Sequence, residues 1–130
     1  MILELWIAGQ TTASSTDSVA SILDLLRHDP DALLVAESDG RLVATLIAGW
    51  DGWRAGMYRL VVVSDLRRTG IGTQLVRAAE GRFRELGARR VAAVVMTEHP
   101  HANGFWLSMG YELDGRVGRY VRNLTVGPYT

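Results

Sequence analysis

Apolar and polar positions change their period several times along this chain. Ile2, Leu5 and Trp6 recur at helical spacing ahead of Gly9, a C-terminal stop signal, and predict a first helix. The polar run that follows, QTTASSTDS, reads as a loop supplying Thr16 or Asp17 as N-cap to a second helix. Val19, Ile22, Leu23, Leu25 and Leu26 form the apolar face of that helix, and Pro30 stops it. Ala32 to Glu37 and Arg41 to Trp50 then read as strands joined by Ser38-Asp39-Gly40, since Asp-Gly between apolar runs signals a hairpin. The dipeptide repeats at Asp51-Gly52 and turns the chain into a strand from Met57 to Val63, completing a three-stranded antiparallel meander.

A long helix follows, TQLVRAAEGRFRELG, with Leu75, Val76, Ala79, Phe83 and Leu86 on one stripe. Arg77, Glu80, Arg82, Arg84 and Glu85 take the solvent side, with Glu80 and Arg84 as a favourable i,i+4 pair, and Gly87 ends it. The almost wholly apolar run Arg90 to Met96 predicts a strand buried on both faces, parallel to the strand ending at Val63 because a helix links them. Pro100 opens a helix through Met109, closed by Gly110. Tyr111 to Val117 and Gly118 to Leu124 alternate as two last strands, leaving TVGPYT as a tail.

Where the central strand meets the long helix, the loop carries Arg67 and Arg68, and Gly70 and Gly72 fall where the helix must begin. Side-chain-free residues there let a ligand approach the backbone. The first helical N–H groups have no intrahelical partners, and two guanidiniums fork onto phosphate oxygens. This predicts a phosphate or pyrophosphate site. It is not a dinucleotide fingerprint, because Leu75 stands where the third glycine belongs. It is not a Walker loop either, because the chain has no lysine.

Composition narrows the classes further. A length of 130 residues, 48% of them hydrophobic, fits a single domain over 1–130. Net charge is zero, with all 14 basic residues arginine, which speaks against the broad basic field of a nucleic-acid binder. The absence of cysteine excludes a disulfide framework, a thiolate metal site and an acyl-cysteine intermediate. No apolar run approaches the ~20 residues of a membrane span and the start lacks a basic leader, so a soluble cytoplasmic protein is expected. Glu98-His99-Pro100-His101 gathers two imidazoles and a carboxylate, but no second ligand group is evident, and no metal is expected. Trp6, Trp50 and Trp53 are either walls of an acceptor pocket or core and dimer contacts. Asp51 is either a cation ligand or a turn residue.

The spacing Arg67, Gly70, Gly72 after a strand ending Leu60-Val61-Val62-Val63 resembles the signature of the Gcn5-related N-acetyltransferase (GNAT) family. The run Ala102-Asn103-Gly104-Phe105-Trp106-Leu107-Ser108-Met109-Gly110-Tyr111 resembles that family's second motif, and the elements follow its order over roughly residues 1 to 124. The segment AGWDGWRAGMYRL further resembles a bacterial small-domain subgroup. The resemblance implies an α/β (α+β) fold. In it a mixed, mostly antiparallel sheet is flanked by helices, with a central splayed parallel pair and without the family's first strand.

The resemblance also implies acetyl-CoA as acyl donor. Arg67, Arg68, Thr69, Gly70, Ile71, Gly72 and Thr73 would hold its pyrophosphate, and the backbone of Val61, Val62 and Val63 its pantetheine arm. The implied reaction is direct attack by a primary amine, of a small molecule or a peptide, with a backbone N–H stabilising the oxyanion by ~3 kcal/mol. The sequence departs from the family at two catalytic positions. Tyr58 stands where many members place a proton-relaying Glu, and Trp106 where a thiolate-protonating Tyr is usual. His99 aligns with the family's usual Asn and reads as a cofactor contact, a proton relay or a solvated imidazole. A catalytically weak acyl-CoA-binding domain is the second reading. With no opening strand, the edge of the strand Ala32 to Glu37 suggests a homodimer.

Overall fold

The computed structural model describes residues 2–9 and 16–124, so residues 10–15 of the predicted loop and the tail over 125–130 lie outside the described residues. Helix α1 (Ile2–Ala8) is followed by α2 (Val19–His28), then by strands β1 (Leu33–Ser38), β2 (Arg41–Trp50) and β3 (Ala55–Val62). A single 3₁₀ turn at Ser64–Leu66 leads to α3 (Ile71–Leu86), β4 (Val91–Ala93) and α4 (Pro100–Ser108). The sheet order is β1-β2-β3-β4, with the first three strands antiparallel and β4 parallel to β3.

The hairpin forms as its turn residues dictate, since Asp39 and Gly40 both take positive φ (52° and 74°), the geometry that follows the strand twist. Asp51 closes the next turn by accepting from the Trp53 and Arg54 N–H groups at 2.8 and 2.6 Å. Those bonds, first that from Arg54, hold its carboxyl below the usual range. Its turn role is therefore the one built into the fold.

Two apolar layers cover the sheet. On one face α3 and α4 pack against the strands through Leu46, Met57, Val76, Phe83 and Trp106. On the other, Leu5 and Trp6 of α1 pack on Val61. Phe83 has no exposed surface, and burial of such a ring contributes about 2–3 kcal/mol.

Several expectations need correction. The N-cap of α2 is Ser18, whose hydroxyl accepts from the Ser21 N–H, because the Asp17 carboxylate is engaged by Arg59 instead. Glu80 is buried rather than on the solvent side of α3. It accepts from the Tyr111 hydroxyl at 2.6 Å and from Arg77 at 2.8 Å, whereas Leu86 of the predicted stripe is exposed. Arg82 reaches the Asp29 carboxylate just beyond α2.

The doubly buried strand Arg90 to Met96 is realised only as Val91–Ala93, with Ala92 and Val94 exposed, because β4 is an edge strand that parts from β3 after three pairs. The two final strands do not form. Residues 112–124 carry no regular structure, and Leu113, Val117, Tyr120, Val121 and Leu124 are exposed. Asp114 accepts from the backbone N–H and the guanidinium of Arg116, a local turn that competes with strand pairing, and β4 offers only a short edge to pair with.

Candidate active site

The site begins where the two parallel strands separate. Ala55, Gly56 and Met57 of β3 pair with Val91, Ala92 and Ala93, and the Val94 N–H donates to the Met57 carbonyl at 3.0 Å. Just beyond, Thr45 faces Val61 and Ile47 faces Tyr58, so Leu46 of β2 stands opposite both Arg59 and Leu60. That extra residue is a β-bulge, with Arg59 at φ 56°, and a bulge bends its strand. The gap so opened is a cleft of about 660 Å³ walled by Leu60, Val61 and Val62 on one side and Val94, Val95 and Met96 on the other. The apolar run after Ala93 therefore lines a cleft, with Val95 also packed on the α3 layer.

The same cleft runs on to the start of α3. The loop Leu66, Arg67, Arg68 closes one side, and the Thr69 hydroxyl tightens it by donating to the Leu66 carbonyl. Gly70 is the N-cap of α3 at φ 91°, so no side chain caps the helix, and its first N–H groups are left to a ligand or water. At Gly72 an added Cβ would sit 3.4 Å from the Phe105 ring and 3.8 Å from Val62. The bare backbone there brings α3, β3 and α4 together at the cleft wall. The far wall is α4, contributing Ala102, Gly104, Phe105, Trp106 and Ser108, with His99 and His101 at its start. The walls carry Arg67, Arg68, His99 and His101, while the Arg59 guanidinium is paired with Asp17, and among the described residues no Asp or Glu lines them. A cleft of that charge, ending on an uncapped helix, suits a polyanion with an apolar arm.

A family model described as the acetyltransferase (GNAT) family matches residues 1–111. The chain belongs to the GNAT family. An acetyltransferase of Pectobacterium atrosepticum is 30% identical over 111 residues, covering 85% of this chain and 79% of its own length. Another from Photorhabdus laumondii is 32% identical over 94 residues, 72% of this chain and 66% of its own. Among solved structures, Ard1 from Thermoplasma volcanium has a TM-score of 0.73 at 25% identity, with 88% of this chain and 78% of that chain covered. An aminoglycoside N-acetyltransferase solved in complex with CoA shares the fold at a TM-score of 0.66 and 21% identity, over 81% of this chain and 85% of its own.

GNAT acetyltransferases use acetyl-CoA as acyl donor. The residues present fit that group. Two guanidiniums and an uncapped helix start meet its phosphates, and the apolar gap between β3 and β4 meets its arm. In this GNAT domain the predicted residues Val61, Val62, Arg67, Arg68, Gly70, Gly72, Thr73, His99 and Trp106 all line one cleft. Val63, Thr69 and Ile71 are not among its walls. Val63 packs on the α1 layer, Ile71 on the α3 layer, and Thr69 closes the loop.

Tyr58 lies apart from the cleft walls and is 44% exposed. Its ring crosses Gly49 and Gly56, whose missing side chains make room for it. Trp106 is buried, with the Phe105 and Tyr111 rings set edge-on at 5.3 and 5.0 Å. Tyr111 is no substitute acid for the cleft, because burial and then its bond to Glu80 push its phenol far up and aim it at α3. No group of His, Cys, Asp or Glu among the described residues is arranged to hold a metal. Of the other three tryptophans, Trp6 is buried, Trp50 packs partly on the α3 layer, and Trp53 is exposed with the Arg54 guanidinium 4.2 Å from its ring centroid. Sequence reasoning misses Arg59, and it weighs His101 only as a metal ligand, not as part of the cleft wall. The signal for Arg59 was a charged residue inside the apolar run Met57 to Val63.

Proposed function

We propose that this chain is an N-acetyltransferase that moves the acetyl group of acetyl-CoA onto a primary amine by direct attack. The observation that carries the reading is continuity: one cleft joins the uncapped start of α3 to the gap between β3 and β4. Bound there, acetyl-CoA would supply the activated thioester carbonyl. Arg67 and Arg68 bind phosphate oxygens, Gly70 and Gly72 keep the α3 N–H groups accessible, and Val62, Val94 and Val95 exclude water from the arm.

Proton transfer falls to His99 on this reading, since it lines the wall and the Trp106 indole donates a hydrogen bond without releasing its proton. Tyr58, outside the walls, has no part in proton transfer on this reading, and Tyr58→Phe should leave kcat/KM within about twofold. Among the described residues the walls offer no carboxylate to a polycationic acceptor, so amines without further positive charge are the favoured class.

The test is a thiol-release assay with acetyl-CoA across a panel of primary amines. Turnover on at least one is expected. Calorimetric binding of acetyl-CoA without turnover on any amine would favour the acyl-CoA-binding reading, and absence of binding would overturn both.

A further inference from the structure

We propose that Arg59 is a positioning residue, clasped by Asp17 and Trp6 so that the β3 bulge keeps the left-handed conformation that opens the gap between β3 and β4. This rests on reading the cleft as the acetyl-CoA site.

Among the described residues three besides glycine have positive φ. Asp39 sits in the hairpin turn and Arg68 in the loop before α3, while Arg59 sits inside a strand. A side-chain-bearing residue is disfavoured in that conformation and persists only where its surroundings hold it. Here both halves of the residue are held. Its carbonyl accepts from the Thr45 hydroxyl at 2.9 Å, and that oxygen in turn accepts from the Trp6 indole N–H at 2.9 Å. Its guanidinium forks onto Asp17, with Nη2 2.7 and 2.9 Å from the two carboxylate oxygens, and lies 5.4 Å from the Trp6 ring centroid. The result is a closed ring of contacts through α1, β2 and β3, to which the ion pair ties Asp17 ahead of α2.

A largely buried ion pair is weak evidence of stabilisation by itself, because desolvation offsets much of the attraction. Its location gives it another purpose. Arg59 lies between the last β3–β4 pair, at Met57, and the wall residues Leu60, Val61 and Val62. Removing the bulge would slip β3 by one residue and exchange the faces to which those three point, because side chains alternate along a strand. The clasp therefore sets which backbone and side-chain groups of β3 meet the arm of the donor.

The test exploits glycine, which adopts positive φ without help. Asp17→Ala removes the clasp that holds Arg59 in its disfavoured left-handed conformation and should weaken CoA binding at least tenfold by calorimetry. Asp17→Asn serves as the variant should Asp17→Ala fail to fold. Adding Arg59→Gly to either should restore affinity to within about threefold of the unaltered protein, and should return the Val61 and Val62 amide NMR signals toward their original positions. Unchanged CoA affinity and unchanged Val61 and Val62 signals in the Asp17 variants would overturn the proposal. So would a double variant weaker than the single, which would assign Arg59 a direct contact with CoA. If the unaltered protein does not bind CoA, the functional reading fails, and the NMR signals alone then decide whether the clasp holds the bulge.

Discussion

At one end of the cleft, Arg67, Arg68, Gly70 and Gly72 belong to a single loop and the first turn of one helix. At the other, Arg59 depends on Trp6, Thr45 and Asp17, drawn from three other parts of the chain. The first end works through main-chain geometry, and its arginines stay exposed. The second works through side chains that are nearly enclosed, with Arg59 and Asp17 20% and 11% exposed. A local site tolerates change elsewhere in the molecule and fails when its own few residues change. A contact-built site can be broken from a distance and repaired from a distance.

The largest expected effect lies at the local end. Replacing Arg67 and Arg68 together by Ala should raise the CoA dissociation constant ~10²-fold, since charged hydrogen bonds are worth about 1.5–3 kcal/mol each and these are solvent-screened. Calorimetry at low and high salt should show a shallower salt dependence in the double variant. Equal affinity before and after would dissolve the contrast between the two ends.

A smaller loss, ~30-fold, is expected for Gly72→Val, whose branched side chain meets Phe105 and Val62, while Gly72→Ala should bind CoA within about threefold of the original because a lone Cβ makes ordinary contact there. Binding titrations of the two variants separate close approach from mere helix propensity.

The smallest effect on the cleft is expected from Tyr111→Phe, which touches neither end but loosens the tie between α4 and α3 that backs both. Its cost should appear as about 2 kcal/mol of stability in denaturant melts at pH 7, the worth of a hydrogen bond to a charged group. The pH dependence has a definite sign. Burial works to raise the Glu80 carboxyl, but the bonds from Tyr111 and Arg77 outweigh it and hold its pKa below the usual value. A carboxyl depressed in the folded state adds stability above its unfolded pKa and loses it as pH falls through the folded one. The difference between the two proteins should therefore narrow below about pH 4, and melts across that range would check it.

The same division explains what could be read in the chain before its structure. Strand, double arginine and paired glycines in register announce the phosphate loop because each acts on its immediate neighbours. Asp39-Gly40 announces its hairpin for the same reason. Arg59 stands out as a charge inside an apolar strand, but the sequence offers its partner Asp17 only as one of two candidate helix caps, since no local pattern says that a carboxylate will leave its own backbone for a distant guanidinium. Periodicity puts Glu80 on the solvent face of α3 because it does not register a tyrosine arriving from beyond α4. The apolar run to Met96 reads as a buried strand because a ligand-facing wall and a helix-facing wall require the same residues. The alternation in 111–124 reads as strands, although nothing local to it supplies an edge of adequate length.

The order of the strands also bears on how the molecule comes together. β1, β2 and β3 are joined by tight turns, while β3 and β4 can meet only after α3 has spanned the distance between them, a closure with a larger entropic cost. The meander is expected to form early and the parallel junction late, so pulsed hydrogen exchange during refolding should find Arg41–Trp50 protected before Val91–Ala93. The cleft is the unfinished end of that late junction. A molecule that binds there meets the chain only after its slowest association, and should act as a brake on unfolding while leaving the refolding rate where it was.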